Sequence, residues 1–250
     1  MADSFVEALM ENNIEKIMQW RTTFTENSPI QCIHIPNFFS AKDALDIVNE
    51  WHDISDERWR MHEKMTSSGN GKKLEISKKE LMGHSTATII EKLQHPNFLR
   101  GLSAITGITN LHSDTELYGG GLVNTPTGGF LKVHADFNFY DKIQMYRRLN
   151  IIVYMNEYWE DKWGGSLQLW DEGLTTKQAE ISPRFNNAIL FRVTDKAYHG
   201  YPDPLTCPTT TTRKSINIYY YTKDNDTDQS KEPHKTLWKD LNNASVTIDY

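Results

Sequence analysis

Between Asp114 and Thr222 apolar residues alternate with polar ones or gather in short blocks broken by glycine, proline and asparagine. Residues 149–156 show this best. Leu149, Ile151, Val153 and Met155 share one face of an extended chain and Asn150, Ile152, Tyr154 and Asn156 the other, and both faces are apolar enough to be buried. Residues 165–170, 188–193 and 213–222 read as further strands. Residues 116–123 contain Gly119-Gly120-Gly121, and residues 124–129 contain Pro126 and two more glycines, which marks a turn or bulge. Short strands between turn signals predict a double-sheeted jelly roll.

The first 113 residues are written differently. Phe5, Leu9, Met10, Ile14, Ile17 and Met18 recur at helical spacing and predict one helix over about residues 5–20. A short strand over 30–35 ends at Pro36, and Ser40-Ala41-Lys42-Asp43 is a capping signal for a second helix with Ala41, Ala44, Leu45, Val48 and Trp51 buried. Residues 53–79, with Ser67-Ser68-Gly69-Asn70-Gly71, read as a surface loop between short strands. Helices over 86–94 and 97–105 follow, the latter stopped by Gly107. The fold class is therefore mostly β with flanking α (α+β), a jelly roll braced by N-terminal helices. One domain spans 1–250: a helical section (1–113), the β core (114–222) and a tail (223–250) that is solvated except for a final short helix over 237–241.

At 38% hydrophobic and 24% charged residues, a chain of 250 has enough apolar matter for a full core. A net charge of −6 supplies no field for a phosphate backbone, so no nucleic-acid partner is expected. Cys32 and Cys207 are the only cysteines and read as free thiols. The start Met1-Ala2-Asp3-Ser4 lacks a signal-peptide pattern and no apolar run is long enough to cross a bilayer, so the expected location is cytoplasmic, without membrane contact.

The chemistry gathers in Phe130-Leu131-Lys132-Val133-His134-Ala135-Asp136. His134 and Asp136, two apart on a strand, present an imidazole and a carboxylate on one face. Alone, such a pair is more often a strand with a satisfied polar face. A later His199, in Tyr198-His199-Gly200, completes a two-histidine, one-carboxylate set that leaves metal positions open, the pattern of a non-haem Fe(II) oxygenase. The remaining histidines lack a ligand partner at this spacing.

Residues 119–222 resemble the prolyl-4-hydroxylase-like branch of the Fe(II)/2-oxoglutarate-dependent oxygenases. The resemblance rests on His134-Ala135-Asp136, residues 148–156, Trp163-Gly164-Gly165-Ser166-Leu167, residues 187–191, His199-Gly200 and Arg213-Lys214-Ser215. It implies a double-stranded β-helix, with His134, Asp136 and His199 holding Fe(II). It implies 2-oxoglutarate and O2 as co-substrates, with ascorbate as an accessory reductant. Arg213 would bind the distal carboxylate of 2-oxoglutarate, for which a guanidinium is well suited. Lys214 falls on the opposite strand face, whereas Ser215 shares Arg213's. The resemblance puts Tyr154 and Leu167 in the co-substrate pocket; a core tyrosine with a satisfied hydroxyl is an equally weighted reading.

Within the resembled family the occupied carboxylate position at Asp136 implies hydroxylation of an unactivated C–H bond rather than halogenation, with desaturation and ring closure left open because the pocket and not the ligand set decides among them. The expected substrate is a prolyl residue or another amino-acid-like group, peptidyl or small, with succinate and CO2 released. Two rivals stand beside this reading: a non-catalytic jelly-roll module binding a glycan or other ligand, and a cupin-like enzyme using another divalent metal. Trp159, Trp163 and Trp170 read as core or as stacking residues at the mouth, and Arg147 and Arg148 as exposed charge or, less favoured, as ion-pair partners of an anionic substrate. The segments 53–79 and 201–212 are where substrate choice and any lid would reside. The sequence does not specify an oligomeric state.

Overall fold

The computed structural model describes residues 4–61, 70–224, 232–241 and 243–248. Five helices stand among them: α1 (Phe5–Met10), α2 (Ile14–Glu26), α3 (Ala41–Asn49), α4 (His84–Gln94) and α5 (Pro96–Thr106). The first predicted helix is in fact two. Asn12 adopts the left-handed conformation (φ 56°), and the Asn13 side chain accepts from Lys16 N–H to cap α2. Asparagine tolerates that conformation and competes with the helix for its own backbone, so the apolar period continues while the chain turns. In α3 the buried residues are Ala44 and Ile47, whereas Leu45 is exposed and Ala41 lies outside, because the axis sits about one position round from the expected stripe. Gly107 closes α5 in the left-handed conformation (φ 74°), as expected.

The strands form two antiparallel sheets. The first contains β1 (Cys32–Ile35), β2 (Arg60–Met61), β4 (Leu74–Ile76), β5 (His112–Ser113), β6 (Gly121–Pro126), β8 (Phe139–Tyr140), β9 (Met145–Tyr154), β12 (Ala188–Arg192) and β14 (Thr212–Thr222). The second contains β3 (Asn70–Gly71), β7 (Phe130–Ala135), β10 (Leu167–Trp170), β11 (Lys177–Ile181), β13 (Tyr198–Tyr201), β15 (Leu237–Asp240) and β16 (Asn243–Ile248). The central order is β12-β9-β14-β6 in one sheet and β11-β10-β13-β7 in the other, so the chain crosses repeatedly between sheets. This is the expected jelly roll.

Each face of β9 has its own layer. Leu149, Ile151, Val153 and Met155 pack on the helices through Ile90, Leu93, Phe98 and Leu102, whereas Ile152 and Tyr154 meet Leu167 and Leu169 between the sheets. Residues 124–126, expected in a turn, remain in β6; the reversal is Thr127-Gly128-Gly129, with Gly128 at φ 78° and Gly129 N–H donating to Pro126 O. Pro126 is accommodated because it ends the strand.

The expected final helix over 237–241 is strand β15. Leu237 pairs with Ala135 and Trp238 with His134, and a segment this short gains more from an existing sheet edge than from a helical turn of its own. The tail thus extends the second sheet. Residues 62–69, the centre of the expected surface loop, lie outside the described residues, as do 225–231. The segment 201–212 is packed in place: Leu205 exchanges backbone bonds with Gly128 and Gly129, and Tyr201, Leu205 and Cys207 bury against Trp159 and Trp163. Both cysteines are free and buried.

Candidate metal and co-substrate site

Strand pairing sets His199 on β13 directly opposite His134 on β7, and Asp136 follows where β7 ends. Ligand atoms of the three buried residues lie within 4.8 Å of one another. His134 Nε2 is 3.5 Å from Asp136 Oδ1, and His199 Nε2 is 3.7 Å from Oδ2. Each Nδ1 lies 2.9 Å from a backbone carbonyl two residues earlier, Lys132 O for His134 and Ala197 O for His199. A carbonyl can only accept, so Nδ1 carries the proton and the Nε2 lone pair faces the cluster. Gly200 permits the close approach of β13 to β7: a Cβ there would lie 2.7 Å from Leu131 O and 2.8 Å from Lys132 O.

Electrostatics keep His199 and Asp136 in ligand form. Burial pushes the His199 imidazolium pKa down to about 4, against the pull of Asp136, so the ring is neutral at neutral pH. Burial works to raise the Asp136 pKa, but Arg147 and then the two imidazoles more than offset it and hold the carboxyl well below the usual carboxylate range. Two imidazoles and a carboxylate on one side of a point match the donor chemistry of a divalent iron site with open positions.

A cavity of about 750 Å³ runs between the sheets from this cluster to Arg213. Arg213 is buried; its Nε donates to Gly165 O (2.7 Å), and its guanidinium carbon lies 4.2 Å from the Tyr201 ring centre and 4.9 Å from that of Tyr154. Leu167 and Ser215 line the cavity with it, and Ser215 Oγ donates to Asn217 Oδ1 (3.0 Å). Tyr154, expected in the pocket, is fully buried across from Ser215 in the sheet and stands behind the cavity lining rather than in it. Its hydroxyl makes no well-formed hydrogen bond among the described residues, and burial raises its pKa to about 12 although Arg213 pulls the other way. Lys214 does not line the cavity.

Arg147 and Arg148 are both buried, contrary to their expected exposure, and Arg147 reaches Asp136 Oδ2 at 3.0 Å. Trp238 was also missed; it lines the cavity and its ring centre is 4.7 Å from that of His134. So was the buried pair Lys73–Glu75 (3.2 Å) on the wall contributed by β4 and the residue before it. None of these carries a local signal: each depends on a bulge or on strand pairing. Trp159 and Trp163 form an edge-to-face core pair and, with Trp170, lie away from the cavity lining. Among the other histidines, His95 caps α5 and His234 bonds Asp195 (2.8 Å).

Residues 120–221 match the family model described as the 2OG-Fe(II) oxygenase superfamily. Prolyl 3-hydroxylase OGFOD1 of Mus musculus is 24% identical over 237 residues, covering 88% of this chain and 39% of that protein. The chain thus spans less than half the length of this curated relative. A Pseudomonas putida prolyl-4-hydroxylase shares the fold at TM-score 0.55 and 15% identity, covering 81% of this chain and 98% of that one. A Trichoplax adhaerens prolyl hydroxylase in complex with a hypoxia-inducible-factor peptide fragment also aligns at TM-score 0.55 and 15% identity, covering 84% and 91%. HygX of Streptomyces hygroscopicus, bound to nickel, 2-oxoglutarate and hygromycin B, aligns at TM-score 0.51 and 14% identity, covering 83% and 86%.

Proposed function

We propose that this chain is a 2-oxoglutarate- and Fe(II)-dependent oxygenase of the prolyl-4-hydroxylase-like kind and that it hydroxylates an unactivated C–H bond of a prolyl residue or a similar amino-acid group. The observation that carries the reading is one cavity holding the His134, Asp136 and His199 cluster at one part and Arg213 at another. When bound, Fe(II) and 2-oxoglutarate supply the oxidising chemistry: O2 is consumed, 2-oxoglutarate leaves as succinate and CO2, and one oxygen atom enters the substrate.

The protein's share is ligation, orientation and exclusion of water. His134, Asp136 and His199 hold the metal from one side. Arg213 would grip the distal carboxylate with the terminal nitrogens that Gly165 O leaves to it, Ser215 would add its hydroxyl by turning from Asn217 Oδ1, and Tyr154 would support the guanidinium from behind the lining. Leu167 and Ile152 line the cavity and would give the co-substrate an apolar wall that excludes water. The prolyl assignment draws support from the names of the curated relative and of two structural relatives. HygX, bound to hygromycin B, is the reason to test small molecules alongside peptides.

Anaerobic addition of Fe(II) and 2-oxoglutarate should produce a weak visible charge-transfer band, absent in His134→Ala. In air, succinate release should rise with one class in a panel of proline-bearing peptides, free amino acids and aminoglycosides. Absence of both the band and succinate would refute the oxygenase reading in favour of a binding module; stimulation by small molecules alone would refute the prolyl assignment.

A further inference from the structure

We propose that Arg147 is a positioning residue that takes one oxygen of Asp136, leaving the other to the metal. The inference rests on the metal-site reading above. It begins with an irregularity in β9. Leu149 pairs with Tyr220 and Arg147 with Tyr221, so Arg148 is an extra residue with no partner position on β14. Such a bulge reverses the side-chain alternation beyond it. Arg148, which would otherwise share a face with Asn150 and Tyr154, turns to Thr222, its Nη1 3.4 Å from Thr222 Oγ1. Arg147 turns into the cavity instead.

Arg147 is held there on every side. Its guanidinium carbon lies 3.4 Å from the Tyr219 ring centre and 4.6 Å from that of Phe137. Tyr219 is itself fixed by its hydroxyl donating to Gly119 O (2.8 Å), and Arg147 N–H donates to Asn138 O (2.8 Å). In this clamp Nη2 stands 3.0 Å from Asp136 Oδ2, and Asn150 Nδ2 donates to the same oxygen (3.3 Å). Oδ2, 3.7 Å from His199 Nε2, therefore carries two further nitrogen partners, whereas Oδ1, 3.5 Å from His134 Nε2, carries neither of them.

A buried ion pair is a poor stability device, because desolvation consumes most of its attraction. What it supplies here is orientation. A carboxylate with both oxygens available can chelate a metal and fill a position that the co-substrate needs. With Oδ2 engaged, Asp136 offers one oxygen and the opposite positions stay open.

The test is the affinity of the metal-free protein for Mn(II), followed by the electron paramagnetic resonance signal of the free ion, with circular dichroism and thermal melting reporting the folded fraction. Arg147→Met should bind Mn(II) about 10- to 100-fold more weakly than wild type. Arg147→Lys, which keeps the charge but not the planar fork, should fall between them. A purely structural role would lower the melting temperature and leave the affinity of the folded protein unchanged; that result would overturn the proposal. If Arg147→Met does not fold, Arg147→Lys decides: weakened binding supports the assignment and wild-type affinity rejects it. His199→Ala is the control for the underlying reading. If wild type fails to bind, or His199→Ala binds as wild type does, the metal site itself is wrong and the proposal falls with it.

Discussion

Arg213 is a single side chain on which the proposed use of a dicarboxylate depends. It is buried, its Nε is committed to Gly165 O, and two aromatic rings limit its movement, so its remaining nitrogens are pre-organised. Replacing it with methionine removes a charge-assisted contact worth about 2 kcal/mol, which corresponds to roughly a 30-fold rise in the 2-oxoglutarate requirement. Titrating 2-oxoglutarate into the anaerobic Fe(II) protein measures this directly; an unchanged midpoint would move the carboxylate site elsewhere. Strand alternation over short, regular stretches pointed to the pairing of His134 with Asp136, and the family resemblance pointed to His199 and Arg213. Arg147 could not be picked out, since the extra residue at Arg148 defeats alternation and nothing in the local sequence announces a bulge.

Strand β13 shows how an element does work that its residues alone do not. Gly200 lets it approach β7 closely enough to set His199 opposite His134. Gly200→Ala forces a methyl against two backbone carbonyls, which cannot swing aside, at a cost of about 1–3 kcal/mol. Chemical denaturation should detect the loss, and Mn(II) affinity should fall with it; full retention of both would mean the strands tolerate more separation than their register suggests. A second element, β15, is tied down through His234, whose Nε2 lies 2.8 Å from Asp195 Oδ1 on the connection between β12 and β13. Burial alone would lower the His234 pKa, but the bond to Asp195 and the contact with Lys235 O outweigh it and raise the value above 6.5. The latch therefore contributes its full stability below about pH 6.5 and loses it as pH climbs through the raised value. Asp195→Asn should lower the histidine's titration midpoint by nuclear magnetic resonance, and its melting temperature should trail wild type in mild acid and converge with it in alkali. The strand nature of β15 was hidden in the sequence for a related reason: Leu237-Trp238-Lys239-Asp240 acquires its conformation from β7, more than a hundred residues earlier.

At the scale of the whole molecule, the helices support one face of the first sheet and the second sheet closes the other, so the cavity is a gap between two layers that must stay in register. The major layers could be read from the sequence because each face of β9 had to be buried by something, and helix period before Asp114 and strand period after it named the two partners. What lies inside the gap was less legible, since Lys73, Glu75, Arg147 and Trp238 meet the cavity only after distant segments pair. The same layering makes the site sensitive to unfolding: the proposed metal ligands come from the second sheet and Arg213 from the first, so an unfolded chain presents no combined site. A ligand that binds only the folded state at a hundred times its dissociation constant stabilises it by about 2.7 kcal/mol. For a domain of this size that raises the melting temperature by roughly 5 to 10 °C. Mn(II) alone should give part of the rise and 2-oxoglutarate should add to it only when Mn(II) is present, because the ketoacid end needs the metal while the carboxylate end needs Arg213. In Arg213→Met the Mn(II) increment should persist and the 2-oxoglutarate increment shrink. An increment from 2-oxoglutarate without metal in wild type, equal to that with metal, would show that the two ends of the cavity act independently and would refute a shared site.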